Sequence, residues 1–529
     1  MNMARLIHEL PVRHTGATPD ALALCDGDRR ISYAQLDEEF GRAAALFSAQ
    51  GLARRERVAV WLDKRAETVF ALFGAARAGG VFVPVNPLLK PEQVEHILTD
   101  CNVRVLVTSV ERLALLSEVL PRCHDLRTVV VVGKQTTAAI EVPGATLRHW
   151  DDRPERPFTA TGMIDADMAA ILYTSGSTGR PKGVVLSHRN LVAGAASVSE
   201  YLENTAQDRI LSVLPLSFDY GLNQLTTSFH VGACAVLMNY LLPRDVIRAV
   251  ARERITGLAA VPPLWVQLAQ LEWPASVREH LRYFTNSGGH MPATVLAGLR
   301  KSLPETKPVL MYGLTEAFRS TYLPPSEVDR RPDSMGKAIP NAEILVVRED
   351  GVLCEAGEPG ELVHRGVHVA MGYWNDPART AERFRPAPGQ PEGLPMPEMA
   401  VWSGDTVKKD EAGFLYFVGR RDEMIKTSGY RVSPGEVEEI AYSAEVASEL
   451  AAVGVTHPVL GQAVVLIAYA DGEAALVAEQ LLGVCRQRLP AFMVPAQVLV
   501  RSEPLPRNPN GKIDRKRLGA ECADLFVKD

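Results

Sequence analysis

The first half of the chain alternates short apolar runs with amphipathic stretches, and this alternation restricts the possible folds more than any other feature. Glu56–Leu62 and Val81–Val85 are typical of strands, and Ala66–Ala78 between them has helical spacing. Val103–Thr108 and Thr128–Val132 repeat the apolar strand pattern. Apolar strands separated by helices indicate a parallel sheet covered on both faces. The sequence therefore predicts an α/β fold.

The pattern changes after about residue 340. Short strands at 342–347, 360–364 and 413–418 are separated by glycine-rich turns, which predicts a β-rich subdomain over about 340–421, with a loop at 385–399. A third pattern begins at residue 432 and predicts, in order, a helix at 436–450, strands at 451–455 and 462–470, and a helix at 474–489. We expect a large domain over 1–421 and a small α+β domain over 422–529.

Composition excludes several classes of protein. The 57 Lys and Arg against 63 Asp and Glu give a net charge of −6, which provides no electrostatic reason to expect nucleic acid or an anionic membrane as partner. The seven cysteines form no C-x-x-C pair, so neither a disulfide framework nor a zinc site is expected. The start lacks an apolar signal-peptide stretch, and no apolar run approaches the length of a membrane span. These features predict a soluble cytoplasmic protein without membrane insertion.

The segment Ile171–Gly183 is an apolar strand followed by a loop rich in hydroxyls and glycines and ending in a lysine. Glycines let backbone N–H groups approach phosphate oxygens, and hydroxyl and ammonium groups add donors. A P-loop fails here because Pro181 occupies the place of its second glycine, and a dinucleotide fingerprint fails because Thr178 follows two places after Gly176. Taken alone, the segment is either a different phosphate loop or a surface loop that binds nothing.

This segment resembles the signature of the adenylate-forming superfamily, which includes acyl-CoA synthetases, luciferases and the adenylation domains of peptide synthetases. Further motifs of that family follow in the expected order, at Met311–Glu316, Trp402–Asp405, Gly419–Asp422, Lys426–Arg431 and Asn508–Lys512. The resemblance implies two stacked αβαβα-type subdomains, a β-rich subdomain and a mobile C-terminal domain that moves about a hinge at Asp422. Overall, the chain is also similar to stand-alone ligases associated with exosortase gene clusters.

The activity that the resemblance implies is AMP-forming ligation: ATP and Mg²⁺ convert an organic acid into an acyl-adenylate, and the acyl group passes to a thiol. The acceptor is either CoA or the phosphopantetheine of a separate carrier protein, since the chain contains no Gly-Gly-x-Ser carrier segment; Leu489–Pro495 resembles a peptide-synthetase segment and favours the carrier. The alternatives are an aryl or short-chain acyl-CoA synthetase, a luciferase-like oxygenase and a non-catalytic nucleotide-binding relative.

The resemblance also implies roles for single residues. ATP and AMP contacts fall on Thr174, Ser175, Gly176, Ser177, Thr178, Gly179, Lys182, Gly288, Gly289, Tyr312, Gly313, Asp405 and Arg420. Catalytic roles fall on Lys512, Thr315, Glu316 and Lys426, with Glu316 as the magnesium ligand. Without the motifs, Tyr312 would be a core residue, Asp405 a turn residue and Lys512 part of a basic tail.

The predicted acid pocket consists of Phe218, Asp219, Tyr220, Asn223, Phe284, Asn286, Met311, Arg319 and Ser320. The Phe218-Asp219 pair resembles amino-acid-activating members, in which the aspartate binds the substrate ammonium. Arg319 leaves two other possibilities open: it neutralises Asp219, or it binds a second carboxylate of the substrate. The mixed wall predicts an amino acid or another small polar acid.

Overall fold

The computed structural model describes residues 4–133, 142, 144–174, 181–391, 393–420, 423–427, 430–457, 460–489, 491–508 and 511–526, with the backbone alone at 426, 430 and 431. Three sheets organise these residues. The seven-stranded sheet is called the first, the fourteen-stranded sheet the second and the five-stranded sheet the third.

The first sheet has seven strands, which are parallel except for the last pair. In spatial order they are Thr146–His149, Thr128–Val132, Val103–Ser109, Arg57–Trp61, Val81–Pro84, Met168–Thr174 and Lys182–Ser187. The predicted strands of the first half are all present in this sheet. The apolar runs are buried because helices cover both faces of the sheet.

The second sheet has fourteen strands. In spatial order they are Ala342–Val347, Pro359–Gly366, Met399–Lys409, Leu415–Arg420, Ser334–Ala338, Thr321–Leu323, Lys307–Tyr312, Tyr283–Asn286, Gly257–Ala260, Arg209–Ser212, Cys234–Leu237, Leu22–Asp26 and Arg29–Ser32, with Phe384–Pro386 paired to Met399–Lys409. The predicted β-rich region is therefore continuous with an α/β sheet, because Ser334–Ala338 pairs with Leu415–Arg420. The predicted loop at 385–399 begins as the edge strand Phe384–Pro386.

Helices cover these two sheets, and local sequence explains where they start. Their bounds are Glu9–Val12, Tyr33–Ala49, Ala66–Arg77, Pro91–Asp100, Val110–Leu115, His188–Tyr201, Asp219–Val231, Pro243–Arg252, Pro262–Ala269, Ala293–Ser302 and Pro377–Arg383. Ser32 caps its helix by accepting from the Gln35 N–H, and Ser187 does the same from Asn190. None of the helices in the described ranges has both the length and the apolarity to cross a bilayer.

The third sheet forms the C-terminal part of the chain and confirms the predicted α+β character. Its five strands are Ile425–Thr427, Tyr430–Val432, Glu449–His457, Gly461–Tyr469 and Gln497–Arg501, and its helices are Pro434–Tyr442, Ala474–Arg488 and Arg515–Glu521. The helix predicted over 436–450 was too long. It ends at Tyr442 because Glu445 adopts a positive φ of 56°, and the Tyr442 hydroxyl accepts the Leu450 N–H at the start of the next strand.

The helix Asp219–Val231 is fixed against the chain that precedes it at Gly221. A Cβ on this residue would lie 2.0 Å from the carbonyl oxygen of Pro215. We expect Gly221→Ala to lower the free energy of unfolding by about 1–3 kcal/mol, because backbone cannot move aside as a side chain can. The matched control is Gly298→Ala in the helix Ala293–Ser302, where a Cβ would meet open space and helix propensity favours alanine. Melting temperatures of the two variants check this: equal values would contradict the close contact.

Candidate active site

A cavity of about 2340 Å³ lies between the second sheet and the C-terminal part of the chain. The strands Tyr283–Asn286 and Lys307–Tyr312 are parallel neighbours, so their carboxyl ends open on the same edge of the sheet. From the other side, the segment around Lys512 lines the same cavity. The cavity therefore brings together residues that are more than two hundred positions apart in sequence.

The predicted phosphate region lies at one end of this cavity. Ser175, Gly176, Ser177, Thr178 and Gly179 fall outside the described residues, whereas Thr174 and Lys182 face each other as register partners on antiparallel strands. The Thr174 hydroxyl is buried and has no hydrogen-bond partner in the described part of the chain. A buried hydroxyl in that state is a ready donor for an anionic ligand.

Lys182 is held by a carboxylate and a phenol. Its Nζ lies 3.0 Å from Oε1 of Glu316 and donates to the Tyr373 hydroxyl at 2.8 Å, while Tyr373 donates to the same Glu316 oxygen at 2.6 Å. Burial acts most strongly and would raise the pKa of Glu316, but Lys182 and the Tyr373 hydrogen bond together hold that pKa below its usual range. Glu316 is therefore ionised at neutral pH and prepared to bind a cation.

Tyr373 is not among the residues predicted from the sequence. It lies 57 positions after Glu316, and no motif or spacing rule connects the two. The backbone makes the connection: Ala370 N–H donates to Glu316 O at 2.8 Å, and Trp374 N–H donates to Gly183 O at 2.8 Å. Residues 370–374 thus join the strand of Lys182 to the segment of Glu316, and the first sheet to the second.

A second polar cluster lies at the β-rich side of the cavity. Tyr312 donates its hydroxyl to Asp405, and Arg420, the register partner of Asp405, has its Nε 3.5 Å from Asp405 Oδ1. That oxygen is buried and accepts no hydrogen bond from the described residues. Burial raises the pKa of Asp405 more than Arg420 lowers it. An acceptor of this kind suits a pair of ligand hydroxyls.

Lys512 enters the cavity from the C-terminal part. Gly288 has a positive φ of 81°, and a Cβ on it would lie 3.6 Å from Cε of Lys512 and 3.7 Å from the ring of Phe218. The surrounding protein desolvates the ammonium and lowers the pKa of Lys512; Arg420 acts in the same direction, and Asp219 acts against it. The lysine therefore stands between the Asp405 cluster and the predicted acid pocket.

The turn before Lys512 is ordered by its own hydrogen bonds. Asn508 Oδ1 accepts the Lys512 N–H at 3.1 Å, and the Asn508 N–H donates to Lys512 O at 2.8 Å. Two neighbouring cations form ion pairs within the C-terminal part: Arg507 pairs with Glu449, and Arg515 Nη2 lies 2.7 Å from the Glu438 carboxylate. The two bonds between Asn508 and Lys512 hold these two residues close together.

Five of the predicted acid-pocket residues line the cavity: Phe218, Asp219, Asn286, Met311 and Arg319. Asp219 and Arg319 form an ion pair with Oδ2 and Nη1 2.9 Å apart, and their side chains are only 3% and 2% exposed. Of the two partners that the sequence left open for Asp219, the structure places Arg319 beside it.

The other four predicted pocket residues lie behind this wall. Tyr220 bonds the Thr285 hydroxyl, and the Asn223 amide bonds Thr227 at 2.9 Å on its own helix. The ring of Phe284 packs 5.0 Å from that of Trp265, and the Ser320 hydroxyl bonds His364 at 2.9 Å. Each of these side chains is committed to a neighbour in the core, so none of the four lines the cavity in the described part of the protein.

The remaining predicted residues are placed as follows. Gly289, Gly313 and Thr315 line the cavity together with Gly288. Asp422 lies outside the described residues, and so does the side chain of Lys426, whose backbone belongs to the strand Ile425–Thr427.

The donor set around Glu316 fits a hard cation that a substrate also binds. The described residues contain no group of three or more His, Cys, Asp or Glu side chains arranged for a metal. Magnesium commonly binds through one or two carboxylates together with substrate phosphates. A single buried carboxylate next to the Thr174 hydroxyl and Lys182 meets that requirement.

Comparison with known proteins identifies the family. The AMP-binding enzyme family model matches residues 12–374, and the model of the AMP-binding enzyme C-terminal domain matches residues 436–512. The first match alone spans more than half of the chain, and this protein therefore belongs to the AMP-binding enzyme family. The resemblance to the adenylate-forming superfamily that the motifs indicate is confirmed.

Individual relatives agree with this placement. The chain is 31% identical to L-proline--[L-prolyl-carrier protein] ligase of Streptomyces coelicolor, with 96% of each chain covered. It is 30% identical to indoleacetate--CoA ligase of Aromatoleum aromaticum, with 95% of each covered. ATP-bound MatB from Rhodopseudomonas palustris superposes with a TM-score of 0.85 at 25% identity, covering 98% of this chain and 99% of that one. The predicted fold class is thus confirmed.

The chain is much shorter than some of its relatives. It spans only 8% of the length of one curated relative that it matches and 44% of another.

The hydrogen bond from Tyr373 to Glu316 predicts a pH-dependent stability effect. A lowered pKa of Glu316 adds stability above the pKa that the residue has in the unfolded chain, about 4.3, and this stability is lost as the pH falls through the folded-state value. We expect Tyr373→Phe to cost about 2 kcal/mol at pH 7, since the bond is made to a charged group, and less as the pH falls below about 4.

Melting temperatures measured from pH 8 down to pH 3.5 check this expectation. The matched control is Tyr283→Phe, which removes a buried phenol that accepts from the neutral Asn204 amide at 2.9 Å, away from the cavity. Its effect should not vary with pH over that range. A Tyr373→Phe effect as constant as that of the control would contradict the coupling to Glu316.

Proposed function

We propose that this protein is an ATP-dependent, AMP-forming ligase that activates a small organic acid as its acyl-adenylate and then transfers the acyl group to a thiol. The observation that carries the proposal is the convergence of three elements on one cavity: the Lys182–Glu316–Tyr373 cluster, the Tyr312–Asp405 pair and Lys512. Family membership supports the same activity.

ATP would occupy the cavity along these clusters. The Thr174 hydroxyl and Lys182 would bind the β- and γ-phosphates together with residues 175–179, and Thr315 would donate a hydrogen bond to the α-phosphate. Asp405 would accept hydrogen bonds from the ribose hydroxyls, with Arg420 beside it. Tyr312 would lie on one face of the adenine, opposite Gly288 and Gly289. Since Lys182 pairs with Glu316 in this structure, phosphate binding would draw the ammonium away and free a carboxylate oxygen.

Glu316 is the proposed magnesium ligand. When bound, the cation would neutralise charge on the phosphate oxygens. Tyr373 keeps its hydrogen bond to the same carboxylate and so orients Glu316 while Lys182 turns toward phosphate.

The chemical step needs positive charge at the α-phosphate. A carboxylate oxygen of the acid forms a bond to the α-phosphorus, and the bond from that phosphorus to the bridging oxygen of pyrophosphate breaks. Negative charge grows on the oxygens around phosphorus, and the ammonium of Lys512 is the mobile cation placed to stabilise it more in the transition state than in the ground state.

The second step would transfer the acyl group to sulfur. The thiolate attacks the acyl carbon, and AMP leaves with the electron pair of the broken C–O bond. Lys512 must first withdraw, so we propose rotation of the C-terminal part about Asp422, which would present Lys426 to the incoming thiol. The acceptor is CoA or the pantetheine of a carrier protein; the names of two relatives, a CoA ligase and a carrier-protein ligase, support either choice.

We expect Lys512→Ala to lower acid-dependent ATP–pyrophosphate exchange by on the order of 10²–10³, because one transition-state contact is lost, while ATP still binds. The control is Arg517→Ala, which removes a cation of the same C-terminal segment that is 66% exposed and paired with Glu521. Exchange rates together with ATP affinity by calorimetry check the prediction. Exchange at the wild-type rate in Lys512→Ala would refute the role of this lysine.

A substitution at Lys426 should affect the second step of the reaction and not the first. We expect Lys426→Ala to leave pyrophosphate exchange unchanged and to slow thioester formation by at least about tenfold, because in this proposal Lys426 acts only in the second arrangement. Exchange and thioester formation, measured on the same preparation with CoA and with a pantetheinylated carrier, test this. Equal losses in both assays would place Lys426 in the first step instead.

A further inference from the structure

The guanidinium of Arg319 lines the cavity with only part of its hydrogen-bonding capacity used. Its Nη1 donates to Asp219 Oδ2 at 2.9 Å and to the Phe318 carbonyl at 2.8 Å. Its Nε and Nη2 are buried, and no residue in the described part of the chain accepts a hydrogen bond from either of them. The whole residue is 1% exposed, so bulk water does not readily supply the missing acceptors.

An arginine in this state is costly to the free protein. A buried donor without a partner lowers the stability of the folded protein, and it does so more strongly when the group is charged. The backbone nevertheless fixes it there: Phe318, its neighbour, has a positive φ of 62°, and its ring packs so tightly that a Cβ on Gly194 would lie 2.4 Å from it. Unfavourable backbone maintained by packing is characteristic of positions that serve a ligand.

The two free nitrogens define the shape of the missing partner. Nε and Nη2 form one edge of the planar guanidinium, and their N–H bonds point outward side by side. Such an edge matches the two oxygens of a carboxylate in a bidentate pair. The face of the same guanidinium rests on the ring of Tyr220, with its central carbon 4.5 Å from the ring centroid, so the plane of the group is fixed as well.

We propose that the acid activated by this protein is a dicarboxylic acid whose second carboxylate binds the Nε–Nη2 edge of Arg319. This inference rests on the proposed ligase function, because the first carboxylate is the one that attacks phosphorus near Lys512. Asp219 bonds Arg319, and the ring of the preceding residue, Phe218, lies beside Gly288 together with Lys512, so Asp219 lies between the two carboxylate positions. The substrate is therefore short, with its chain passing along Asp219.

The same geometry explains the role of Asp219. Its charge is balanced by Arg319, so a substrate ammonium is not needed to neutralise it. Asp219 instead holds Nη1, which leaves Nε and Nη2 as the donors that remain for the substrate. An amino group on the diacid is compatible with this arrangement but is not the feature that is recognised.

The experiment is ATP–pyrophosphate exchange with acids matched in chain length. Succinate is compared with butyrate and succinamate, glutarate with valerate, glutamate with norvaline, and phthalate with 2-methylbenzoate. Two charge-assisted hydrogen bonds predict that at least one diacid has a kcat/KM about 100-fold or more above its monoacid partner. Succinamate, in which an amide replaces the second carboxylate, should fall with the monoacids.

Arg319→Lys provides the matched variant, because it keeps the charge and removes the planar edge. We expect the ratio of kcat/KM for the diacid to kcat/KM for the monoacid to fall at least tenfold in Arg319→Lys, mainly through the KM of the diacid. A thermal-shift measurement with the diacid and AMP adds a readout apart from turnover: the diacid should raise the melting temperature of the wild type and not that of the variant. If Arg319→Lys does not fold, the comparison of wild-type acids decides alone.

The outcomes distinguish the two proposals. Exchange with no acid of any class, diacid, monoacid, amino acid or aryl acid, would overturn the ligase function itself. Exchange that is as fast with monoacids or with simple amino acids as with diacids would overturn the dicarboxylate inference and leave the ligase function standing. Retention of the full diacid preference in Arg319→Lys would also overturn the inference.

Discussion

The ion pair between Lys182 and Glu316 joins the two large sheets at the point where the cavity opens. Lys182 begins the last strand of the first sheet, and Glu316 follows a central strand of the second. Tyr373 bonds both partners, and the segment 370–374 adds backbone bonds to each side. Without this junction the phosphate region and the rest of the cavity would have no fixed relation, since the elements that carry them are far apart in sequence.

Ion pairs and hydrogen bonds between distant segments also shape the rest of the cavity. Three of its buried carboxylates have a partner from a distant segment: Glu316 has Lys182, Asp219 has Arg319, and Asp405 has Tyr312 and Arg420. Partners lower the cost of burial but do not remove it, which is why burial still raises the pKa of Asp405. Some donors and acceptors remain unmatched among the described residues, namely the Thr174 hydroxyl, Asp405 Oδ1 and one edge of Arg319. Buried polar groups without partners are most economically explained as positions for ligand atoms.

Local pattern predicted most of the architecture correctly. The strands of the first sheet follow from apolar runs of five to seven residues, because strands covered on both faces need apolar side chains in both directions. The helix at 436–450 was predicted too long, since an apolar pattern does not reveal a left-handed backbone at Glu445. In the acid pocket, Phe218, Asp219, Asn286, Met311 and Arg319 line the cavity, but Tyr220, Asn223, Phe284 and Ser320 turn to core partners that no local pattern identifies.

The sequence by itself determined the α/β class, the order of the motifs and the chemical types available for phosphate, ribose and acid. These properties depend on residue identity and on spacing along the chain, which are local. Only the tertiary structure decided which charges meet: that Tyr373 reaches Glu316, that Arg319 pairs with Asp219 and leaves one edge bare, and that Lys512 stands beside Gly288. The reason is that electrostatic and hydrogen-bond energies depend on distances of a few ångströms between segments, and sequence separation carries no information about such distances.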